Sequence, residues 1–495
     1  MTMSRGFATF LCCAITGGHA GMLHGQAAVG ETVDEKVRRL SAAVVQVQTQ
    51  MQAYQLQLQE LQRQLGDLQS ELKSGQAAAV PATSGLPAEA APQAAQSALD
   101  EIRERQAMQE AQIATHDQSK VETESKYSLK VSGLVLFNGF VNTRRVDDAV
   151  VPTYALPGTG TTGFAVKQTV LGLEASGPRL FGASSHADVH VDFFGGGPQS
   201  TYGNSGILRL RTAHGALRWK NTEAFVSLDR SLIAPNIPTS LVATAQPVFS
   251  WSGDLWTWNP QIGVTHDLTL QGSKRLRLQA ALISPQDPLL PSAISTAIST
   301  RSEKSRWPGV EERIAFASGD RYKGPEFGIG GYFSPHRTGD GSRFDAWAIT
   351  ADARLPIGRH VEFTSNVYRG AALGGLGGGG YIDYFYLFPP SGEIAYALRA
   401  AGGWAQLKAK PSERLQFNGG FGIDNPFGSD TRLALASPTT AYSGLTKNRS
   451  AFGNVIYSPS AYLIFSLEYR RLWSNYLTLA PQHADVIGLG AGYRF

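Results

Sequence analysis

From residue 127 to the end of the chain, apolar and polar residues alternate with period two in segments of roughly ten residues. Ala187, Val189, Val191 and Phe193 alternate with Asp188, His190 and Asp192. Leu208 and Leu210 alternate with Arg209 and Arg211, and Leu276, Leu278, Ala280 and Leu282 with Arg275, Arg277 and Gln279. Val361, Phe363 and Val367 alternate with His360, Glu362, Thr364 and Asn366. Leu415, Phe417 and Phe421 follow the same rule, as do Leu463, Phe465, Leu467 and Tyr469 against Ser466, Glu468 and Arg470. A soluble sandwich also alternates, so the connections decide. Short turns are expected at 219–221, 271–273, 356–358, 410–412 and 458–460. Long Gly-, Pro- and Ser-rich connections are expected at 142–163, 195–206, 231–258, 285–306, 370–390 and 424–447. Short connections on one side and long ones on the other are the plan of an outer-membrane barrel. The reading is an all-β transmembrane barrel of about sixteen antiparallel strands over 127–495.

Composition agrees. Charged residues make up 17%, there are 54 glycines, and aromatic residues reach 10%, yet no apolar run is long enough for a spanning helix. The net charge of +4 is too small and too dispersed to indicate nucleic acid.

The segment before the barrel is of a different kind. Residues 1–27 read as a signal peptide: Arg5, then the apolar stretch Phe7 to Ile15, then small residues through Gly25-Gln26-Ala27. Phe10 and Leu11 are too large for a lipoprotein cleavage site before Cys12 and Cys13. Both cysteines lie in this segment, so the mature chain is expected to carry no thiol, disulfide or cysteine-bound metal. Residues 33–73 read as a periplasmic coiled coil. With Val37 at position a, the seam runs Val37, Leu40, Val44, Val47, Met51, Tyr54, Leu58, Leu61, Leu65, Leu68 and Leu72. Such a helix is about 60 Å long. Its flanking positions are mostly Gln, so charge pairing does little to set the partner, and a narrow seam favours self-association. Residues 74–126 are expected to be a flexible linker, Ala-, Pro- and Gly-rich, with a short polar helix near Leu99 to Gln118. At the other end, Gly488 to Phe495 closes on an aromatic residue, with Tyr493 two positions earlier. This resembles the C-terminal signature by which the barrel assembly machinery recognises its substrates.

The chain resembles the DcaP-like porins, trimeric outer-membrane channels with an N-terminal coiled coil. The resemblance rests on Ser128-Leu129-Lys130-Val131-Ser132-Gly133, Lys167-Gln168-Thr169-Val170-Leu171-Gly172, Asp188 to Gly195, and Leu208 to Ala213, one in each of the first four strands. The order of signal, coiled coil, linker and barrel matches too. Family members tend to carry Arg or Lys where Val170 stands, so this lumen is expected to be less basic there. Phosphate-selective porins share the layout. The resemblance implies a homotrimer in outer-membrane lipid and passive diffusion of small polar solutes. With the arginines of the lumen, it also implies a mild preference for anions such as dicarboxylates.

A porin needs a water-filled bore, a narrowing and a field set by charged side chains, with no catalyst and no cofactor. Arg209 and Arg211 share one strand face opposite leucines, and a charge in lipid costs ~2–4 kcal/mol at the midplane, so both are expected to face inward. The same argument places Arg275, Arg277, Arg414, Asp188, Asp192, Glu223, Glu362 and Glu468 in a lumen of mixed sign. Each arginine is either a selectivity group or, if Asp188 and Asp192 neutralise it, a brace of the wall. The connection after the fifth strand, 231–258, with Trp251, Asp254, Trp256 and Trp258, either folds inward as a constriction or covers the outer mouth. No nucleophile elbow or zinc-protease motif points to an enzyme. The Gly-rich run 374–380 lacks a following Lys-Ser/Thr and is a loop, and His186, His190 and His214 lack metal-ligand spacing and are expected at the lumen or rim. A tethering role for the coiled coil in the envelope is the remaining alternative.

Overall fold

The computed structural model describes residues 128–195, 206–288, 299–320, 324–390, 392–435 and 444–495, together with the backbone of 120–121. The expected signal peptide, the coiled coil with its whole seam and the helix expected near 99–118 lie outside the described residues. The backbone of Lys120–Val121 forms a two-residue strand against Leu129 and Lys130.

The barrel strands are β1 Leu129–Val146, β2 in two segments (Ala155–Ala165 and Val170–Leu180), β3 Ala183–Asp192, β4 Arg209–Arg218, β5 Thr222–Arg230 and β6 Trp258–Thr269. They continue as β7 Lys274–Ile283, β8 Gly309–Ser318, β9 Glu326–Arg337, β10 Arg343–Ile357 and β11 Val361–Ala371. The last five are β12 Arg399–Ala409, β13 Leu415–Pro426, β14 Leu445–Tyr457, β15 Leu463–Tyr476 and β16 Gln482–Arg494. Every neighbouring pair is antiparallel, and β16 returns to β1 from Leu134↔Arg494 to Asn142↔Val486, closing the sheet. The sheet has eighteen segments, of which one is the two-residue strand and two are halves of β2, so the barrel has sixteen strands. Both halves of β2 pair with β1 (Asn138↔Ala165 and Leu134↔Val170). The break between them is bridged where the Leu136 N–H donates to Thr169 Oγ1 at 3.1 Å.

Alternation does what the sequence requires. Along β15, Leu463, Phe465, Leu467 and Tyr469 are exposed on the outer face, while Ile464, Ser466, Glu468 and Arg470 are buried inside. Val367, Phe417, Phe421, Leu208 and Leu210 are likewise exposed outside. Such an apolar outer band suits lipid.

The connections depart from expectation in four ways. At the end that holds the start of β1 and Phe495, called periplasmic by the rule that short turns face the periplasm, all turns are short, but 181–182 and 319–325 join the expected set. Phe181 (φ 52°) and Gly182 (φ 77°) form a two-residue turn with both central residues at positive φ, which suits the strand twist. The turn expected at 356–358 falls at 358–360, because β10 runs through Ile357. At the far end, strict alternation of short and long fails, since 147–154, 338–342 and 477–481 are short. The long connection expected at 142–163 is mostly strand. Within it Gly160 packs so closely on β1 that a Cβ would lie 1.9 Å from the Asn142 carbonyl oxygen.

The largest apolar core is inside the barrel. Ile233, Ala234 and Leu255 of the 231–257 connection pack with Ile283, Tyr332, Ala346, Ala348 and Tyr368 of the wall and with Leu373 and Leu376 of the 372–398 connection.

Candidate functional site

The 231–257 connection leaves the end of β5 and crosses the lumen. Its polar atoms engage inward-facing groups on strands around the barrel. The Asn236 amide donates to the carbonyls of Ala353 (3.1 Å) and Ser365 (3.0 Å) on β10 and β11. The Thr239 N–H donates to Gln406 Oε1 on β12 at 2.7 Å, and Asn454 on β14 donates to the Thr239 carbonyl at 3.0 Å. The Ser240 hydroxyl donates to Glu468 on β15 at 2.6 Å. On the near side Gln168, fully buried at the break in β2, accepts from the Thr244 and Ala245 N–H groups (2.8 and 2.9 Å) and donates to the Val242 carbonyl (2.8 Å). The same amide donates to Asn138 Oδ1 on β1 at 3.1 Å. The interruption of β2 thus frees an inward position for a clamp on the loop. Gly253 approaches so closely that a Cβ would lie 2.1 Å from the Gly403 carbonyl oxygen.

Three of the four loop residues singled out in the sequence are packed. Asp254 is fully buried, paired with Arg230 at 2.6 Å and accepting from the Trp404 indole N–H at 3.3 Å. Trp251 is buried with its ring stacked on Tyr381, centroids 3.5 Å apart, and Trp256 is buried beside Gly377. The 372–398 connection that supplies Tyr381 is held by Asp424, which accepts from Tyr368 Oη (2.5 Å) and from the N–H groups of Gly379 (3.2 Å) and Gly380 (2.7 Å). In it, burial pushes Asp383 up to about 7, against the pull of Arg301 at 3.7 Å. Trp258, the first residue of β6, is the partly exposed member of the four.

The open space lies on the side of β1–β4. A cavity of about 710 Å³ is walled by these strands and by the 237–247 stretch of the loop, and reaches Ser458, Glu413 and Phe495 at the periplasmic end. Its lining cations are Lys130, Arg211, Arg230 and Arg494, against the single carboxylate Glu413. A second cavity of about 210 Å³ lies beside Arg209, Trp251, Trp256 and Asp287. Trp258 lines both, so the indole stands between the two cavities. The Arg209 and Arg211 guanidiniums lie 5.1 and 5.5 Å from its ring centroid. Arg209 also pairs with Asp192 (2.6 Å) and donates to the Ala245 carbonyl (2.9 Å), so it ties β3, β4 and the loop together. Arg211 makes no ion pair among the described residues.

A bulge sets this arrangement. His190 faces Thr212 and Val191 faces Leu210, leaving Arg211 as the extra residue of β4. A bulge puts two successive side chains on one face. Arg211 lines the cavity, and the Thr212 hydroxyl lies 3.3 Å from His190 Nδ1 on the same face. From there the phase is shifted, and His214 faces inward.

The other sequence candidates are dispersed. Arg277 spans Asp267 (2.9 Å) and Glu326 (3.1 Å), next to Arg313, which holds Glu326 and Asp352. Glu362 pairs with Lys408 at 2.8 Å. Arg275 donates to the carbonyls of Gly319 and Asp320 at the periplasmic rim, and Arg414 ends the 410–414 turn. Asp188 lies 3.5 Å from both His186 and His190. Sequence reasoning missed Gln168 as a loop anchor and Lys130 and Arg494 as lining cations. Gln168 stood inside a quoted motif, but its role depends on a break in β2 that no residue pattern announced. No group of His, Asp or Glu that could hold a metal occurs among the described residues.

No protein-family model and no curated protein matches this sequence. Solved structures do. The outer-membrane channel DcaP of Acinetobacter baumannii superposes with a TM-score of 0.59 at 16% identity, over 76% of this chain and all of that one. An anion-selective porin from Comamonas acidovorans gives 0.45 at 10% identity (75% and 100% covered), and Pseudomonas putida OprB gives 0.44 at 11% (74% and 94% covered). At these identities the likeness is one of fold: the resemblance to DcaP-like porins carries into the architecture, and the chain has the fold of the DcaP outer-membrane channel.

Proposed function

We propose that this protein is a DcaP-type porin of the bacterial outer membrane, passing small hydrophilic solutes by diffusion with a mild preference for anions such as dicarboxylates. The observation that carries this reading is the cavity along β1–β4, water-accessible from the periplasmic end and lined by four cations and one carboxylate. The crossing loop narrows the bore, and the route for solutes runs past Trp258, with the Arg209 and Arg211 guanidiniums both against its ring. A charged side chain at a narrow point acts on every ion that passes, because water there is too thin to screen it. Arg211 is the stronger selectivity group, since Arg209 is already neutralised by Asp192.

The assembly follows the same reading: a homotrimer in outer-membrane lipid, its protomers joined in the periplasm by the 33–73 coiled coil after removal of residues 1–27. The terminal Phe495 is the handle for the barrel assembly machinery. Its backbone pairs both ways with Gly133 (2.9 and 3.1 Å), so the recognised residue also completes the seam between β16 and β1. The test is uptake into proteoliposomes. A C4–C6 dicarboxylate should enter faster than a dication of equal size, and both faster than into empty liposomes. Equal rates with and without protein would remove the porin reading.

A further inference from the structure

Below the Trp258 passage, three histidines line one patch of wall, and the passage mechanism uses none of them. His186 and His190 on β3 each lie 3.5 Å from a carboxylate oxygen of Asp188 between them. His214 on β4 is the cross-strand partner of Asp188. Its Nε2 lies 3.5 Å from Glu223 on β5, and its ring stacks on Phe225 at 5.5 Å. Their side chains are partly solvated, at 19–32% exposure, so protons reach them from the bore. Gly172 faces His190 across β2, and a Cβ there would lie 2.8 Å from the imidazole, so the absence of a side chain gives the ring its place in the lumen.

The fixed charges around the patch nearly balance. On the cationic side are Lys130 on β1, 3.8 Å from Glu174, then Arg218, paired with Glu223, and Arg211 above. On the anionic side are Glu174 on β2, Asp188 on β3, and Glu223 and Asp229 on β5. The loop stretch 237–247 opposite carries no ionisable side chain. Glu413 and Arg494 at the mouth cancel each other. The Arg209–Asp192 and Arg230–Asp254 pairs each sum to zero, and the remaining three cations against four carboxylates leave one net negative charge when the imidazoles are neutral, and two net positive charges when all three are protonated. Imidazole is the side chain whose ordinary titration falls between about pH 5 and 8.

We propose that His186, His190 and His214 are specificity-determining residues of the channel: they reverse the sign of the lumen wall below the arginine pair as the medium acidifies, so that anion preference is an acid-strengthened property. This rests on the porin reading above, and Arg211 supplies the part of the preference that does not vary with pH.

The test is the reversal potential of the full-length assembled protein in planar bilayers, in a tenfold KCl gradient, at about pH 8, 6.5 and 5.5. In the wild type the chloride-to-potassium permeability ratio should rise several-fold toward pH 5.5. In H186Q/H190Q/H214Q, which keeps a hydrogen-bond donor at each place, the ratio should be flat and equal to the wild-type value at pH 8. If the triple variant forms no channels, H190Q and H214Q singly should each lose part of the pH response. Asp383 is intact in all of these variants, so a pH response that survives in the triple variant, or is undiminished in both single variants, belongs elsewhere and overturns the proposal, as does a flat wild-type ratio. An absence of any conductance in the wild type would instead strike at the porin reading.

Discussion

The Arg209 guanidinium holds the fully buried Asp192 carboxylate through two contacts, Nη2 to Oδ2 at 2.6 Å and Nε to Oδ1 at 3.0 Å. Two residues on, Arg211 faces the same indole with no such partner. The two arginines are alike in sequence and opposite in consequence.

Arg211→Gln should lower the chloride-to-potassium permeability ratio by about two- to threefold at 0.1 M salt and much less at 1 M, where the Debye length falls to about 3 Å. Folding should be unaffected. Replacing the pair together, Arg209→Gln with Asp192→Asn, should leave selectivity nearly unchanged, whereas Arg209→Gln alone orphans the buried Asp192 and destabilises the far end of β3 and β4. Breaking a buried pair costs about 3–5 kcal/mol, and the partial solvation of Arg209 puts this one at the lower edge. Reversal potentials and the temperature of the heat-modifiable gel shift separate these variants.

Gln168→Ala removes four hydrogen bonds to the inner loop and one to Asn138. At about 1 kcal/mol net for each bond, the near end of the loop should detach while the barrel stays closed. The expected outcome is a noisier channel with larger conductance, read from single-channel traces. Unchanged traces would mean that the contacts on β10–β15 hold the loop without it.

Gly133→Val should block assembly, because even a Cβ at this position would lie 2.4 Å from the Phe495 ring. The measurement is the folded fraction in outer-membrane extracts. Gly331→Ala is the matched control, since no atom lies within 4 Å of a Cβ there, and it should assemble normally.

Polar replacements of Leu58, Leu61 and Leu65 should abolish cysteine crosslinks between periplasmic segments of different protomers while the barrel still folds. Unchanged crosslinking would count against the seam.

The period-two pattern was legible because each β15 side chain reports its own face: Leu467 outside, Glu468 inside. Fold class and strand number follow from that rule repeated. The inward placement of Arg209 and Arg211 was legible for the same reason. What escaped is where the rule slips. One extra residue at Arg211 shifts the phase, so simple alternation assigns His214 and Ala216 to the wrong face, and a bulge has no residue signature in this stretch. The path of the 231–257 loop was equally hidden. It is fixed by Gln406, Glu468 and Asn454, residues more than 160 positions away with no mark that they would meet it. Trp251 and Trp256 stood in a loop that the sequence could place in the bore or over the outer mouth, and both are packed inside, because the loop needs its own core to hold its place.

A water-filled, anion-favouring bore past Arg211 is tested by single-channel recording in asymmetric KCl. Discrete openings are expected, with a zero-current potential displaced toward the chloride equilibrium value, and with the displacement reduced in Arg211→Gln and restored in Arg211→Lys. A zero-current potential displaced toward the potassium value, or one identical in wild type and Arg211→Gln at low salt, would contradict it.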